Sequence, residues 1–115
     1  MNLRDTILAA SDIEKKVITV KQWGGVKIEL RGISGEERNK VYGETRKGEE
    51  IDFDELQYAL IIASAYDPES GEKIFKPEDA AILKTKSWTV INRLSGIIMK
   101  LSGIGAGDSE DAEKN

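Results

Sequence analysis

Cysteine and histidine are both missing from this 115-residue chain. Without thiols, a disulfide scaffold, thiol catalysis and cysteine-rich zinc sites are excluded, while the compartment is left open. Without imidazole, the commonest metal ligand and the usual proton shuttle near neutral pH are gone. Positive charge is also scarce: 17 Lys and Arg stand against 21 Asp and Glu, giving a formal charge of -4 and a pI near 5.0. The basic residues are scattered among acids, and phosphate backbones need clustered cations, so nucleic acid is not an expected partner. Every apolar run is too short to span a bilayer and nothing at the start resembles a signal peptide, so no membrane partner is expected and the chain reads as cytosolic. No internal repeat is visible, and no nucleophile constellation, metal cluster or phosphate loop.

What is present suits one small folded domain: 39% hydrophobic and 33% charged residues, at a length that supports one core but not two. Residues 51–75, IDFDELQYALIIASAYDPESGEKIF, hold the longest apolar run and organise the rest. Asp52 has N-cap chemistry, Glu55 completes a capping box three residues on, and Ile51 can staple to Leu56. At the helical period Phe53, Leu56, Ala59, Leu60 and Ala63 form one face. Tyr58, Ile62 and Ala65 cover much of the other side, leaving a narrow polar strip at Gln57 and Ser64. A helix so apolar is predicted to be buried, ending at Asp67-Pro68 with a turn at Glu69, Ser70 and Gly71.

Ahead of it, Leu3, Ile7 and Leu8 predict a short helix broken at Ser11-Asp12. Ile18 and Val20, then Val26, Ile28 and Leu30, alternate as a hairpin. A loop of Trp23, Gly24 and Gly25 would pair Val20 with Ile28 and Ile18 with Leu30, keeping the apolar residues on one face. Ser34 and Glu37 have capping-box spacing for a helix carrying Val41 and Tyr42 inward, ended or weakened at Gly43. The charged ETRKGEE segment reads as an exposed, mobile loop. Beyond the central helix, residues 72–75 can be extended. Pro77 opens a short helix with Ala80, Ala81 and Leu83 inward. Ser87 caps a last helix whose stripe of Val90, Ile91, Leu94, Ile97, Ile98 and Leu101 can cover the central one. From Gly103 the periodicity is lost, predicting a domain over residues 1–103 and a flexible acidic tail over 104–115.

Few residues suggest chemistry. The acids from Asp67 to Glu78 place a Glu at the twelfth position of a calcium-type loop, but Glu72 stands where that loop needs glycine and Pro68 follows the first position. Acids at Glu36 and Glu37, and at Asp52, Asp54 and Glu55, fall in first helical turns, where the helix dipole favours them. Glycines 103, 105 and 107 have neither the strand before nor the helix after that a phosphate loop requires. Contact residues are better candidates. Trp23 at the hairpin tip either folds over the sheet edge or stays exposed. Trp88 lies off the core stripe of its helix on a side shared with Asn92, Ser95 and Met99, which could form a shallow apolar groove.

Ile7 to Ile13, then Val17, Val20, Trp23-Gly24-Gly25, Val26, Ile28, Leu30 and Glu37-Arg38, and then Asp67, Gly71, Phe75, Asp79, Leu83, Leu94 and Leu101 to Ile104 form an ordered pattern over nearly the whole chain. In that order they resemble the small tail assembly chaperones of long-tailed bacteriophages, particularly the XkdN-like group of phages and prophages of Gram-positive bacteria. The resemblance implies an α+β fold, mostly helical with one antiparallel hairpin near the N-terminus, without enzyme activity or cofactor. It implies binding to the tape measure protein and the tail tube protein in the host bacterial cytoplasm, and absence from the mature virion. A structural connector or minor component of the particle is the alternative, and a small carboxylate-dependent enzyme a third reading that lacks a site. A chaperone holding apolar segments reversibly should expose apolar surface and self-associate or fill that surface with a partner, with Trp23, Trp88, Asn92 and Met99 as the candidate contacts. The resemblance also implies a longer product made by frameshifting, for which the codons of Glu113, Lys114 and Asn115 permit a slippery run.

Overall fold

A computed structural model describes residues 2–104. All but the first residue of the tail expected over 104–115, and the slip site at Glu113, Lys114 and Asn115, lie outside those residues. The fold is α+β, with five helices and five short strands among the described residues.

The chain starts with α1 (Leu3–Ala9), capped by Asn2, whose side chain accepts from the Asp5 N–H at 2.8 Å. The hairpin follows as β1 (Lys15–Val20) and β2 (Val26–Arg31). Ile18 lies opposite Ile28 and Val20 opposite Val26. The register is therefore two residues away from the expected one. The connection takes in residues 21–25, with a 3-10 turn at Lys21–Trp23 and both Gly24 and Gly25 at positive φ, closed by the Gly25 N–H donating to the Val20 carbonyl at 3.0 Å. A slip of two returns every side chain to its own face, so the apolar pattern fixes the buried side without fixing the partner.

Ser34 and Glu37 form the reciprocal capping box of α2 (Gly35–Glu44). Gly43 does not end this helix. Thr45 does, its hydroxyl turned back onto the Val41 carbonyl at 2.7 Å. The segment expected to be a loop is instead a tight two-stranded ribbon, β3 (Arg46–Lys47) with β4 (Glu50–Ile51), turned at Gly48 with φ of 65°. Glycine supplies that left-handed corner, and charged residues are no bar to a solvent-exposed ribbon.

The central helix α3 (Phe53–Ser64) is capped by Asp52, which accepts from the Glu55 N–H at 3.2 Å. The reciprocal half of the expected box is absent: the Asp52 N–H donates to the Thr45 carbonyl at 2.8 Å, and the Glu55 carboxylate takes Lys84 Nζ at 2.8 Å. Its buried residues are Leu56, Gln57, Leu60, Ile61 and Ser64, while Phe53 is exposed. The polar strip thus faces inward. The helix also stops earlier than expected: Ala65–Tyr66 is a strand, β5, antiparallel to β2 with Leu30 opposite Ala65. Here sheet pairing overrides the local helical pattern. Residue 67 then opens the expected turn, its carboxylate accepting from the Glu69 N–H at 2.8 Å, and Lys73 bridges back to Tyr66.

After a 3-10 turn at Pro77–Asp79 comes α4 (Ala80–Leu83), which buries Leu83 but leaves Ala81, expected inward, exposed. The last helix, α5 (Trp88–Leu101), has Ser87 at its N-cap position without a side-chain cap bond. It packs along α3 and touches β2. The core is made of Ile18, Val20, Ile28 and Leu30 from the sheet, Leu56, Leu60 and Ile61 from α3, and Val90, Ile91, Leu94 and Ile98 from α5. Each such side chain, fully buried, contributes about 1.5 to 3 kcal/mol. The end of β2 is latched to the end of α5, where the Ile33 N–H donates to Ser102 Oγ at 3.0 Å. A Cβ on Gly32 would come within 2.7 Å of the Leu101 carbonyl oxygen.

The sheet order β1-β2-β5 leaves β1 at an edge. Glu14 accepts from the Gly32 N–H, so by the antiparallel alternation the backbone groups of residues 15, 17 and 19 point away from β2. The Arg93 guanidinium donates to the Thr19 carbonyl on that open side at 3.1 Å.

Candidate functional site

Two clefts, the first of them on α3, share Phe75 as a wall. The first, about 580 Å³, lies between α2 with the β3 ribbon on one bank and residues 73–80 on the other. Its floor is apolar, made of Val41, Tyr58, Ala59, Ile62, Ala63 and Phe75, while Glu36, Lys40, Glu44, Lys47, Glu55 and Lys73 stand around it. The floor follows from the helix pattern: α3 turns Leu56, Leu60 and Ile61 to the core, so its second apolar side of Tyr58 and Ile62 is half covered and faces the cleft.

Mixed charges pair around this cleft. Lys47 Nζ lies 2.8 Å from Asp52, and Lys73 Nζ lies 4.0 Å from Glu37. The hydrogen bond from Lys47, reinforced by the Glu55 N–H, holds the Asp52 carboxyl below the usual carboxylate range, and the same bond raises Lys47. Lys84 stands near the Tyr58 ring, 5.7 Å from its centroid. Across the sheet, Arg31 lies 3.6 Å over the Tyr66 ring and 2.6 Å from Glu29. Burial, and secondarily the Glu37 charge, pushes the Tyr66 phenol up. These are the marks of a structured rim, and no group of three or more metal-ligating side chains is gathered among the described residues. An apolar floor edged by both signs of charge is suited to holding an apolar segment with polar flanks.

The second cleft, about 610 Å³, opens at the hairpin tip between Trp23 and α4. Its apolar walls are Trp23, Ile74, Phe75, Ile82 and Leu83, with Gln22, Asp79 and Lys86 at the edges. Ile82 is 60% exposed and Ile74 39%.

The four contact candidates from the sequence are not gathered into one surface. Trp23 is half-buried, folded over the second cleft. Trp88 is 56% exposed at the start of α5. Asn92 is exposed but accepts from Gln57 Nε2 at 3.3 Å, so its side chain is directed to α3. Met99 packs against the core, and Ser95, on the same side, is fully buried. On the side of α5 expected to form a groove, Trp88 is the exposed apolar residue, while Ser95 is buried and Met99 half-buried. Sequence reasoning missed Tyr58, Ala59, Ile62 and Ile82 as cleft residues. The signal was the second apolar side of the central helix, larger than one core needs.

No protein-family model matches the sequence, and no curated protein does. Among solved structures, the bacteriophage HK97 tail assembly chaperone is similar to this chain, with a TM-score of 0.60 and 20% sequence identity over 87% of this chain and 98% of that one. At near-complete coverage of both, the chain has the fold seen in that tail assembly chaperone.

Proposed function

We propose that this protein is a phage tail assembly chaperone that works by binding and not by catalysis. The observation that carries the reading is the fold shared with the HK97 chaperone over almost the whole of both chains. The apolar cleft on α3 supports it, because a chaperone needs a standing surface for segments that are buried only later. Its clients are the tape measure protein and the tail tube protein, met in the host bacterial cytoplasm, and the chaperone is absent from the finished virion.

The test is co-purification of the protein with segments of the tape measure and tube proteins of the same phage. Ala59→Arg, on the half-buried cleft floor, should fill the cleft and reduce capture at least tenfold while leaving the far-UV spectrum unchanged. Undiminished capture would remove the cleft from the account. Mass spectrometry of purified particles tests the remaining part: its presence there at fixed stoichiometry would make it a structural connector or minor component instead.

A further inference from the structure

The charges around the first cleft fall into two sets. Lys47, Lys73 and Glu55 are each held in an ion pair, with Asp52, Glu37 and Lys84 respectively. Glu36, Lys40 and Glu44 are exposed, line the cleft, and are in no ion pair among the described residues. They stand four residues apart on α2, so they share one face and follow one another at about 6 Å, negative, positive, negative. That bank of the cleft therefore carries an ordered row of charge without partners.

The floor has a shape as well as a polarity. On α3, Tyr58 and Ile62 make one row of side chains four residues apart, and Ala59 and Ala63 make the next. The alanine row is the lower, and a low row beside a high one is a groove that takes the ridge of another helix. The walls supplied by α2 and α3 have their backbone groups paired within the helices, so they offer an occupant side-chain contacts only. A helix loses nothing by entering such a place, because its own backbone is already paired. An extended segment would give up water along those two walls and find no backbone partner there.

We propose that the client enters this cleft as an amphipathic helix whose apolar stripe lies over Ala59 and Ala63 and whose flank carries basic, acidic and basic residues at positions i, i+4 and i+8. The inference rests on the reading of this cleft as the client site, and names the client surface that the cleft selects. The flank sets three opposite charges against Glu36, Lys40 and Glu44 at the same pitch. A helix with the inverse order puts like charge against like at all three. The charges thus choose among helices that the apolar floor alone would hold equally.

Two synthetic peptides of about 18 residues, long enough to form a helix, test this. They share one leucine stripe and differ in the flank, Lys-Glu-Lys in one and Glu-Lys-Glu in the other. Fluorescence anisotropy against the full chain should show the first binding about tenfold tighter, since one complex makes three exposed pairs and the other three repulsions. A Glu36→Lys, Lys40→Glu, Glu44→Lys variant should reverse that preference. It keeps the alternation along α2, and what Glu36→Lys loses at the start of the helix Glu44→Lys regains at its end, so the far-UV spectrum should match wild type. A proline at the centre of the Lys-Glu-Lys peptide should weaken its binding about tenfold or more, because it breaks the helix. Equal binding of the two flanks, a variant that keeps the wild-type preference, a proline peptide bound as well as its parent, or a wild-type chain that binds neither peptide would overturn the proposal. Capture of tape measure and tube segments is read separately: segments captured with no preference between the peptides would leave the chaperone reading standing and remove this one, and a clear preference with no segment captured would do the reverse.

Discussion

Gln57 donates its amide N–H to Asn92 Oδ1 at 3.3 Å across the contact of α3 with α5, and its own Oε1 is left buried without a partner. Ser64, two turns further along the same helix, has a buried hydroxyl in the same condition. A buried acceptor without a partner costs about 1 to 3 kcal/mol, against about 0.5 to 1.5 recovered from the one bond formed. Gln57→Met and Ser64→Ala should therefore each stabilise the fold, together by about 1 to 2 kcal/mol. Urea denaturation checks this: a higher midpoint at constant slope is expected, and a lower one would mean that both groups are satisfied in solution.

Two glycines should respond in opposite directions to alanine. At Gly32 the new Cβ would meet the Leu101 carbonyl oxygen at 2.7 Å, backbone that cannot swing aside, and a loss of about 1 to 3 kcal/mol is expected. At Gly43, inside α2 with nothing within 4 Å, alanine should add about 0.5 to 1 kcal/mol. Thermal unfolding of the two variants side by side should show Gly32→Ala melting below wild type and Gly43→Ala above it.

The two serine caps should also behave differently. Ser34→Ala removes a reciprocal box and should cost about 1 kcal/mol. Ser87→Ala removes a hydroxyl that makes no cap bond and should change stability little. Equal losses in denaturant midpoint would show that Ser87 caps α5 in solution.

The pH dependence of the Asp52 and Lys47 pair follows from the directions of their shifts. Asp52 is held below its ordinary value, so its charge contributes fully above the unfolded carboxyl pKa and loses its contribution as pH falls through the lower folded value. Lys47 is raised, so its share is complete below the unfolded amine pKa and fades as pH rises through the folded value. Asp52→Asn keeps a capping side chain and removes the charge. Its stability deficit should be constant across neutral pH, shrink only below about pH 4, and weaken with added salt. A deficit that shrinks between pH 5 and 7 would point to another group.

Much of this architecture was legible because local chemistry wrote it. Ser34 with Glu37, Asp52 at the start of α3, and the α5 stripe of Val90, Ile91, Leu94 and Ile98 are short-range signals that the structure satisfies. What escaped depends on distant partners. Ala65 and Tyr66 continue the apolar character of α3, and only the presence of β2 makes them a strand. Gln57 and Ser64 read as a solvent strip because polarity normally marks the outside, yet both are buried, Gln57 against Asn92 of α5. The clefts were obscured for the same reason: Tyr58 and Ile62 read as core, and their half exposure depends on where α2 and residues 73–80 lie.

The arginine seated on the free side of β1 bears on how an open strand edge is kept from other chains. An open strand edge invites another chain to add to it, and runaway addition is the route to cross-β aggregates. Arg93 occupies the Thr19 carbonyl, and Lys15 and Lys16 put exposed positive charge on the same strand. Backbone recruitment at this edge is thereby disfavoured, and the binding proposed above is left to side-chain surfaces, from which a segment can be released without undoing a strand ladder.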